Sequence, residues 1–246
     1  MEPYSIALTI GYADCDASGR LKISALLRFC QEMAEKHSAS LGCGREDLLK
    51  DLGIVWVITR NQMNIRRYPT VGEKLTLETY TAPARRVFYP RYFVLRDDEG
   101  HAIAESATLW VLCDVRTRAM ADRKEIRVRD WDMGIPPAID RFMAPPEPSG
   151  EAEVSARRAV YSDMDVNAHV NNTRFLDWLC DALGTAALRE APVASFLIDY
   201  HHEVREGQEI RLTLKRDDRC YALTGHDEAG VLMFSIAGAF HAKGEA

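Results

Sequence analysis

The chain has 246 residues, 47% hydrophobic and 28% charged, with a formal net charge of -6. Such a chain suits one large or two small globular domains, buries a core without help from metal or disulfide, and excludes long disorder. It offers no global basic field for nucleic acid, and no apolar run reaches membrane-spanning length.

The start, Met1-Glu-Pro-Tyr-Ser-Ile6, lacks the basic and apolar stretches of a secretory leader, so a cytoplasmic location is expected. A short strand should precede Tyr12-Ala-Asp14-Cys-Asp16-Ala-Ser18-Gly-Arg20, which leads into a helix. Leu26, Leu27, Cys30, Met33, Ala34, His37 and Leu41 recur at helical spacing, with Ser24 as cap and Gly42 as stop. Strands are predicted near 55–66, 74–84, 88–96 and 102–114, with a turn at Arg96-Asp-Asp-Glu-Gly100. Asp132 to Gly150 then holds Pro136, Pro137, Pro145, Pro146 and Pro148. Proline removes backbone donors and fixes φ, so an extended connector is expected.

Tyr161-Ser-Asp163-Met-Asp165-Val-Asn167-Ala-His169 repeats the first Y-x-D-x-D element at an offset of 149, and Phe175, Leu176 and Trp178 fall opposite Leu26, Leu27 and Phe29. Phe175, Leu176, Leu179 and Leu183 line one face of a second helix, with strands near 196–202, 209–216, 221–227 and 232–241. Val71-Gly-Glu-Lys-Leu-Thr-Leu resembles Glu206-Gly-Gln-Glu-Ile-Arg-Leu at an offset of 135, so the second copy lacks a counterpart for much of Cys43 to Ile54. Each copy reads as an antiparallel sheet wrapped on a helix, an α+β arrangement with the two sheets edge to edge. The expected division is 1–130, a linker at 131–153, and 154–246.

The six cysteines, 15, 30, 43, 113, 180 and 220, form no C-x-x-C pair and read as reduced core residues. Arg66-Arg67, Arg85-Arg86 and Arg157-Arg158 are either docking points for an acidic partner or solvated strand ends.

Polar residues concentrate before the second helix. Asp163, Asn171 and Asn172 suit turn and cap roles, since Asp14 sits at the equivalent of Asp163 in the other copy. Asn167 and His169 replace Ser18 and Arg20, so the fold does not demand them. Beside a helix N-terminus they could orient a carbonyl or a water, and the alternative is a decorative turn. In Asp199-Tyr-His201-His202-Glu203, strand alternation lets only His201 and Glu203 share a side, a poor spacing for metal. Glu203 is a possible base or nucleophile, or an exposed strand-end carboxylate. Phe196, Ile198 and Tyr200 define an apolar face, which puts Glu203 past the regular strand or after a bulge.

The string from Tyr161 to Trp178 resembles the signature of the acyl-[acyl-carrier-protein] thioesterases, and Ile54 to Arg60, Ile65 to Pro69 and Trp110 to Arg118 are similar to that family too. The resemblance implies a tandem hotdog, a long central helix wrapped by an antiparallel sheet in each half, and hydrolysis of the thioester between a fatty acyl chain and the phosphopantetheine of acyl carrier protein, with no metal or organic cofactor. It maps the family's D-x-N-x-H onto Asp165, Asn167 and His169, and its glutamate onto Glu203. The family's cysteine after that glutamate is Val204 here, which disfavours a cysteine acyl-enzyme. The first half would hold the acyl chain, and the apolar helix face at Leu26, Cys30 and Met33 either lines that pocket or is only core. Neither nucleic acid nor membrane is expected as partner, and the chain is either a monomer of two hotdogs or a homodimer. A hotdog acyl-CoA thioesterase, a hydratase or dehydratase, and a non-catalytic fatty-acyl-binding protein remain alternatives.

Overall fold

A computed structural model describes residues 2–121, 132–143 and 146–244. The first half contains β1 (Tyr4–Thr9), α1 (Ile23–Ser40), α2 (Arg45–Leu52), β2 (Ile54–Ile65), β3 (Lys74–Thr81), β4 (Tyr89–Arg96) and β5 (Ala102–Asp114). The second contains β6 (Glu153–Arg158), α3 (Arg174–Leu183), α4 (Thr185–Glu190), β7 (Val193–Tyr200), β8 (Glu209–Arg216), β9 (Cys220–His226) and β10 (Leu232–Phe240). The strands form one antiparallel sheet in the order β1-β3-β4-β5-β2-β7-β10-β9-β8-β6. The order in one half is the order in the other, and the two meet edge to edge where β2 pairs with β7. This is the expected tandem hotdog.

The repeat extends to individual backbone bonds. The Asp16 amide donates to the Arg20 carbonyl as Asp165 does to His169, and Leu21 donates to Pro69 as Val170 does to Val204. The Arg66 and Arg67 amides share the Ile103 carbonyl, just as His201 and His202 share Met233. Each sheet curls around its helix, so Leu26, Met33, Phe175, Leu176, Trp178 and Leu179 are buried in a core common to both halves.

The helices differ from expectation. α1 starts at Ile23 with Lys22 as its cap residue, which leaves Ser24 inside the first turn and buried rather than capping. The second helix is not one long element. It ends at Gly184, whose φ of +84° breaks the helical path, and the short α4 follows. The segment with no counterpart in the second copy forms α2.

The boundary expected at 130–131 and Pro145 lie outside the described residues. Residues 132–143 of the connector pack on the outer face of the first sheet, whereas Ser149 bonds Asp217 of the second half. Met133 is buried against Tyr80, Tyr92 and Val94, the Tyr80 hydroxyl donates to the Pro136 carbonyl at 2.9 Å, and the Met143 amide donates to Gln62 Oε1 at 3.0 Å. All six cysteines are free, four of them buried. Two of the arginine pairs are engaged in ion pairs: Arg66 with Glu105, Arg67 with Glu73, and Arg157 with Asp181.

Between α1 and β4 lies a buried cationic cluster. Arg91 donates to His37 Nδ1 at 2.9 Å, to Thr79 Oγ1 at 3.2 Å and to Ser38 Oγ at 3.0 Å, and Tyr4 stacks on the imidazole. Accepting from a guanidinium requires a lone pair on Nδ1, so His37 must be neutral. Burial and the Arg91 charge lower its pKa to about 4. The unfolded imidazole titrates near 6.5, so between these values the unfolded chain binds more protons and stability rises with pH. This contribution is complete above about pH 6.5 and is lost as pH drops toward 4. A His37→Gln variant, which does not titrate there, is expected to show a shallower fall of Tm between pH 7 and 5 than the parent chain. Equal slopes in thermal unfolding would contradict this.

Candidate active site

The turn after β6 presents the polar residues by a fixed set of bonds. Asp165 Oδ1 accepts from the Asn167 amide at 2.8 Å, and the Ala168 amide donates to the Asp165 carbonyl at 3.0 Å. Ala168 sits at φ +60°, where the first copy has Gly19 at φ +75°. A β-carbon there costs roughly 1–2 kcal/mol, so the turn carries strain that its counterpart avoids. The pairing of Val170 with Val204 then holds this turn against the segment that follows β7.

Glu203 lies in that segment. β7 ends at Tyr200, and the His201 and His202 amides both reach the Met233 carbonyl, an irregularity that ends strict alternation. Glu203 thus lies past the regular strand, as its misfit to the apolar face required. The same irregularity separates it from His201, which contacts Ser235 Oγ at 3.4 Å instead. Glu203 Oε2 meets His169 Nε2 at 2.9 Å. Its Oε1 accepts from Arg118 at 2.7 Å. Asn167 Oδ1 accepts from Arg45 at 3.0 Å, and its Nδ2 lies 3.4 Å from Asp165 Oδ2.

Asp165, Asn167, His169 and Glu203 therefore converge. The second-half pair receives two arginines from the first half, neither of which had been singled out as a site residue. Arg45 is the first residue of α2, in the stretch the second copy lacks, and that asymmetry was the available signal. Arg118 follows β5 in a turn organised by Asp114, whose Oδ1 accepts the Arg116 and Thr117 amides at 2.9 Å each. Those amide bonds lower the Asp114 pKa. Arg118 itself has φ +61°, so strained residues flank Glu203 from both halves.

Asp163 is 3% exposed and accepts from the Val160 amide, as Asp14 does from Gly11. Asn171 Oδ1 accepts from the amide and hydroxyl of Thr173, both at 2.9 Å. These are the turn roles expected of them. His169 lies five residues before α3 begins, with the Asn171 turn between them, so the helix end does not directly follow the imidazole. Among the described residues no group of three or more His, Cys, Asp or Glu side chains is placed to hold a metal.

A narrow cleft opens between the halves. Leu27, Cys30 and Gln31 of α1, with Ile58, Asn61, Phe93, Thr108 and Trp110 of the first sheet, form most of its lining. Asn172 and Tyr200, each three residues from His169 or Glu203, complete it. Cys30 was anticipated as a pocket residue, whereas Leu26 and Met33 belong to the sealed core.

The architecture defines a double hotdog protein. Solved structures of an acyl-ACP thioesterase from Bacteroides thetaiotaomicron (TM-score 0.85, 20% identity, 97% of both chains) and of the 12:0-ACP thioesterase from Umbellularia californica (TM-score 0.83, 20% identity, 98% of this chain and 97% of that one) share this fold. Residues 2–128 match the acyl-ACP thioesterase N-terminal domain and 147–232 its C-terminal domain, and the chain belongs to that family. An acyl-[acyl-carrier-protein] hydrolase of Cuphea viscosissima, a chloroplastic protein, is 24% identical over 195 residues, covering 74% of this chain and 47% of the relative. The dodecanoyl-[acyl-carrier-protein] hydrolase of Cinnamomum camphora is 24% identical over 200 residues, 74% and 51% of the respective chains. The chain thus spans about half the length of these curated relatives.

Asp16 and Asp165 make matching turn bonds, so Asp16→Ala and Asp165→Ala are each expected to lower stability by about 1 kcal/mol in denaturant unfolding. A loss at one position alone would show that the two turns are not equivalent supports.

Proposed function

We propose that this chain hydrolyses the thioester joining a fatty acyl chain to acyl carrier protein, releasing the free acid and the carrier's thiol. The 2.9 Å contact between His169 and Glu203 carries the reading. It is made on a framework that the first half reproduces bond for bond with Arg20 and Tyr68 at the corresponding positions, where no such acid and base pair exists.

In the proposed reaction the Glu203–His169 pair takes a proton from water, and the resulting hydroxide adds to the thioester carbonyl. Arg118, bonded to the other carboxylate oxygen at 2.7 Å, holds Glu203 in place against His169. Asn167 has its Oδ1 held by Arg45 and one Nδ2 hydrogen directed toward Asp165. Its second Nδ2 hydrogen is available to the oxyanion that forms. Collapse of that intermediate breaks the C–S bond, and the proton held by the pair returns to the departing thiolate. Asp165 positions Asn167 and does not touch substrate. The same residues permit direct attack by Glu203, with water then cleaving the anhydride.

The first half, which supplies most of the cleft lining, is the proposed acyl-chain site. The step needs no metal or organic cofactor beyond the substrate's phosphopantetheine. A cytoplasmic location belongs to the same proposal. Among the described residues no helix is long and apolar enough to cross a membrane.

Thiol release from acyl-carrier-protein substrates of graded chain length, with the acyl-CoA counterparts alongside, tests the class. Glu203→Ala should cost at least about a thousandfold in kcat, and Asn167→Ala about a hundredfold. Arg45→Ala, acting through Asn167, should cost about tenfold in kcat with little change in KM, since one charge-assisted bond is lost. A fully active Glu203→Ala enzyme with unchanged fold would sink the assignment.

A further inference from the structure

One wall of the cleft is polar at a depth where a plain acyl chain has nothing to offer it. Thr81, Arg91, Thr108 and Asn61 are direct cross-strand partners in sequence across β3, β4, β5 and β2, so they form one row on the inner face of the sheet. Arg91 is turned to α1 by its bonds with His37 and Ser38. Thr108 Oγ1 is satisfied twice, donating to the Arg91 carbonyl at 2.9 Å and accepting from Trp110 Nε1 at 2.9 Å. Tyr200, also in the lining, donates its hydroxyl to the Asn172 carbonyl.

Thr81 Oγ1, outside the cleft lining, has no partner among the described residues, and within the lining the exception is Asn61. It is fully buried and lines the cleft, and its Oδ1 accepts from Ser106 Oγ at 2.8 Å, but its Nδ2 has no partner. A buried donor left unmade costs about 1–3 kcal/mol, so a residue of this kind facing a ligand cleft points to a polar group on the ligand. Turning the amide by half a revolution exchanges the atom that meets Ser106 and still leaves one unpaired. A hydroxyl satisfies either orientation, because it both donates and accepts.

We propose that the acyl group selected by this cleft carries a hydroxyl on its chain, bonded to Asn61. The inference rests on the hydrolysis reading and narrows its substrate class. A methylene chain fills the same space but leaves the Asn61 amide dry and unpaired. A site built to bond a substrate hydroxyl rejects the analogue lacking it more strongly than an apolar site rejects an added hydroxyl.

The test uses the full chain and acyl-carrier-protein substrates of one chain length, either unsubstituted or hydroxylated at successive carbons. For one hydroxyl position, kcat/KM should exceed that of the unsubstituted chain by at least about tenfold. Asn61→Leu should remove this preference and raise the rate on the unsubstituted chain. The double variant Asn61→Leu with Ser106→Ala should do the same without stranding the serine, which guards against a merely misfolded single variant. Thermal stabilisation by a free hydroxy fatty acid over the unsubstituted acid, lost in both variants, reads the Asn61 contact without turnover. Thiol release with no preference at any position, or a preference that survives both variants, overturns the inference while leaving hydrolysis intact. Absence of thiol release from every substrate overturns the hydrolysis reading instead, and the stabilisation measurement then decides the role of Asn61.

Discussion

The pairing of β2 with β7 is the constraint on which everything else depends. It converts two sheets into one and fixes how the halves face each other. Arg60 and Asp199 are Cα partners in that pairing, and their side chains form an ion pair. A slip of one residue would break the pair and turn every β2 side chain to the other face. Asn61 and Met63 would leave the interior, and Gln62, which holds the connector through Met143, would enter it. The same register carries Arg45 and Arg118 to within bonding distance of Asn167 and Glu203. The candidate site is therefore complete only in the joined molecule, although the Glu203–His169 contact lies within one half.

Once the halves are joined, the repeated turn is free to serve two ends. In the first copy the Tyr68 hydroxyl donates to the Val193 carbonyl at 2.8 Å, and Arg20 reaches the Arg189 carbonyl at 3.4 Å. Both contacts cross to the second half, so these positions consolidate the interface. In the second copy the corresponding Glu203 and His169 turn to each other near the surface, where the glutamate side chain is 44% exposed. The backbone bonds are the same, so divergence in side chains alone separates a packing role in the first copy from the Glu203–His169 contact in the second. The Asp residues of the motif make the same turn bonds in both copies, so what distinguishes the candidate site lies in the residues that differ between them.

Much of this was legible in the sequence because it is periodic or repeated. Strand alternation and helical spacing follow from burial of one face, and the duplicated turn bonds follow from duplicated Asp and Gly or Ala positions. The break at Gly184 was not legible, since a glycine within an apolar helical pattern is compatible with continuation. Nor was the seating of the connector, because its prolines announce an extended path but not the surface it crosses. Arg45 and Arg118 lay in stretches the sequence marked, but their part in the site was not legible for a different reason. Arginines are common on any solvated surface, and what distinguishes these two is the partner brought to them by β2–β7 pairing. The offset change from 149 to 135 marked where an extra segment lay, but not that its first residue would reach across the molecule.

Two of the strained backbone positions belong to the candidate site. Among the described residues three that are not glycine adopt positive φ: Arg86, Arg118 and Ala168. Arg86 lies in the turn closed by Arg85 and Phe88. The other two lie on opposite sides of Glu203, one in each half. Each is held there by bonds that over-determine the turn, through Asp114 in one case and Asp165 in the other. At Ala168 the cost is avoidable, since glycine occupies the equivalent position in the first copy at no steric penalty. What glycine would add is freedom in the residue that joins Asn167 to His169, in both the folded and the unfolded chain. A side chain at this point restricts that freedom, so the strain at Ala168 is consistent with a turn selected to present two side chains in one fixed arrangement.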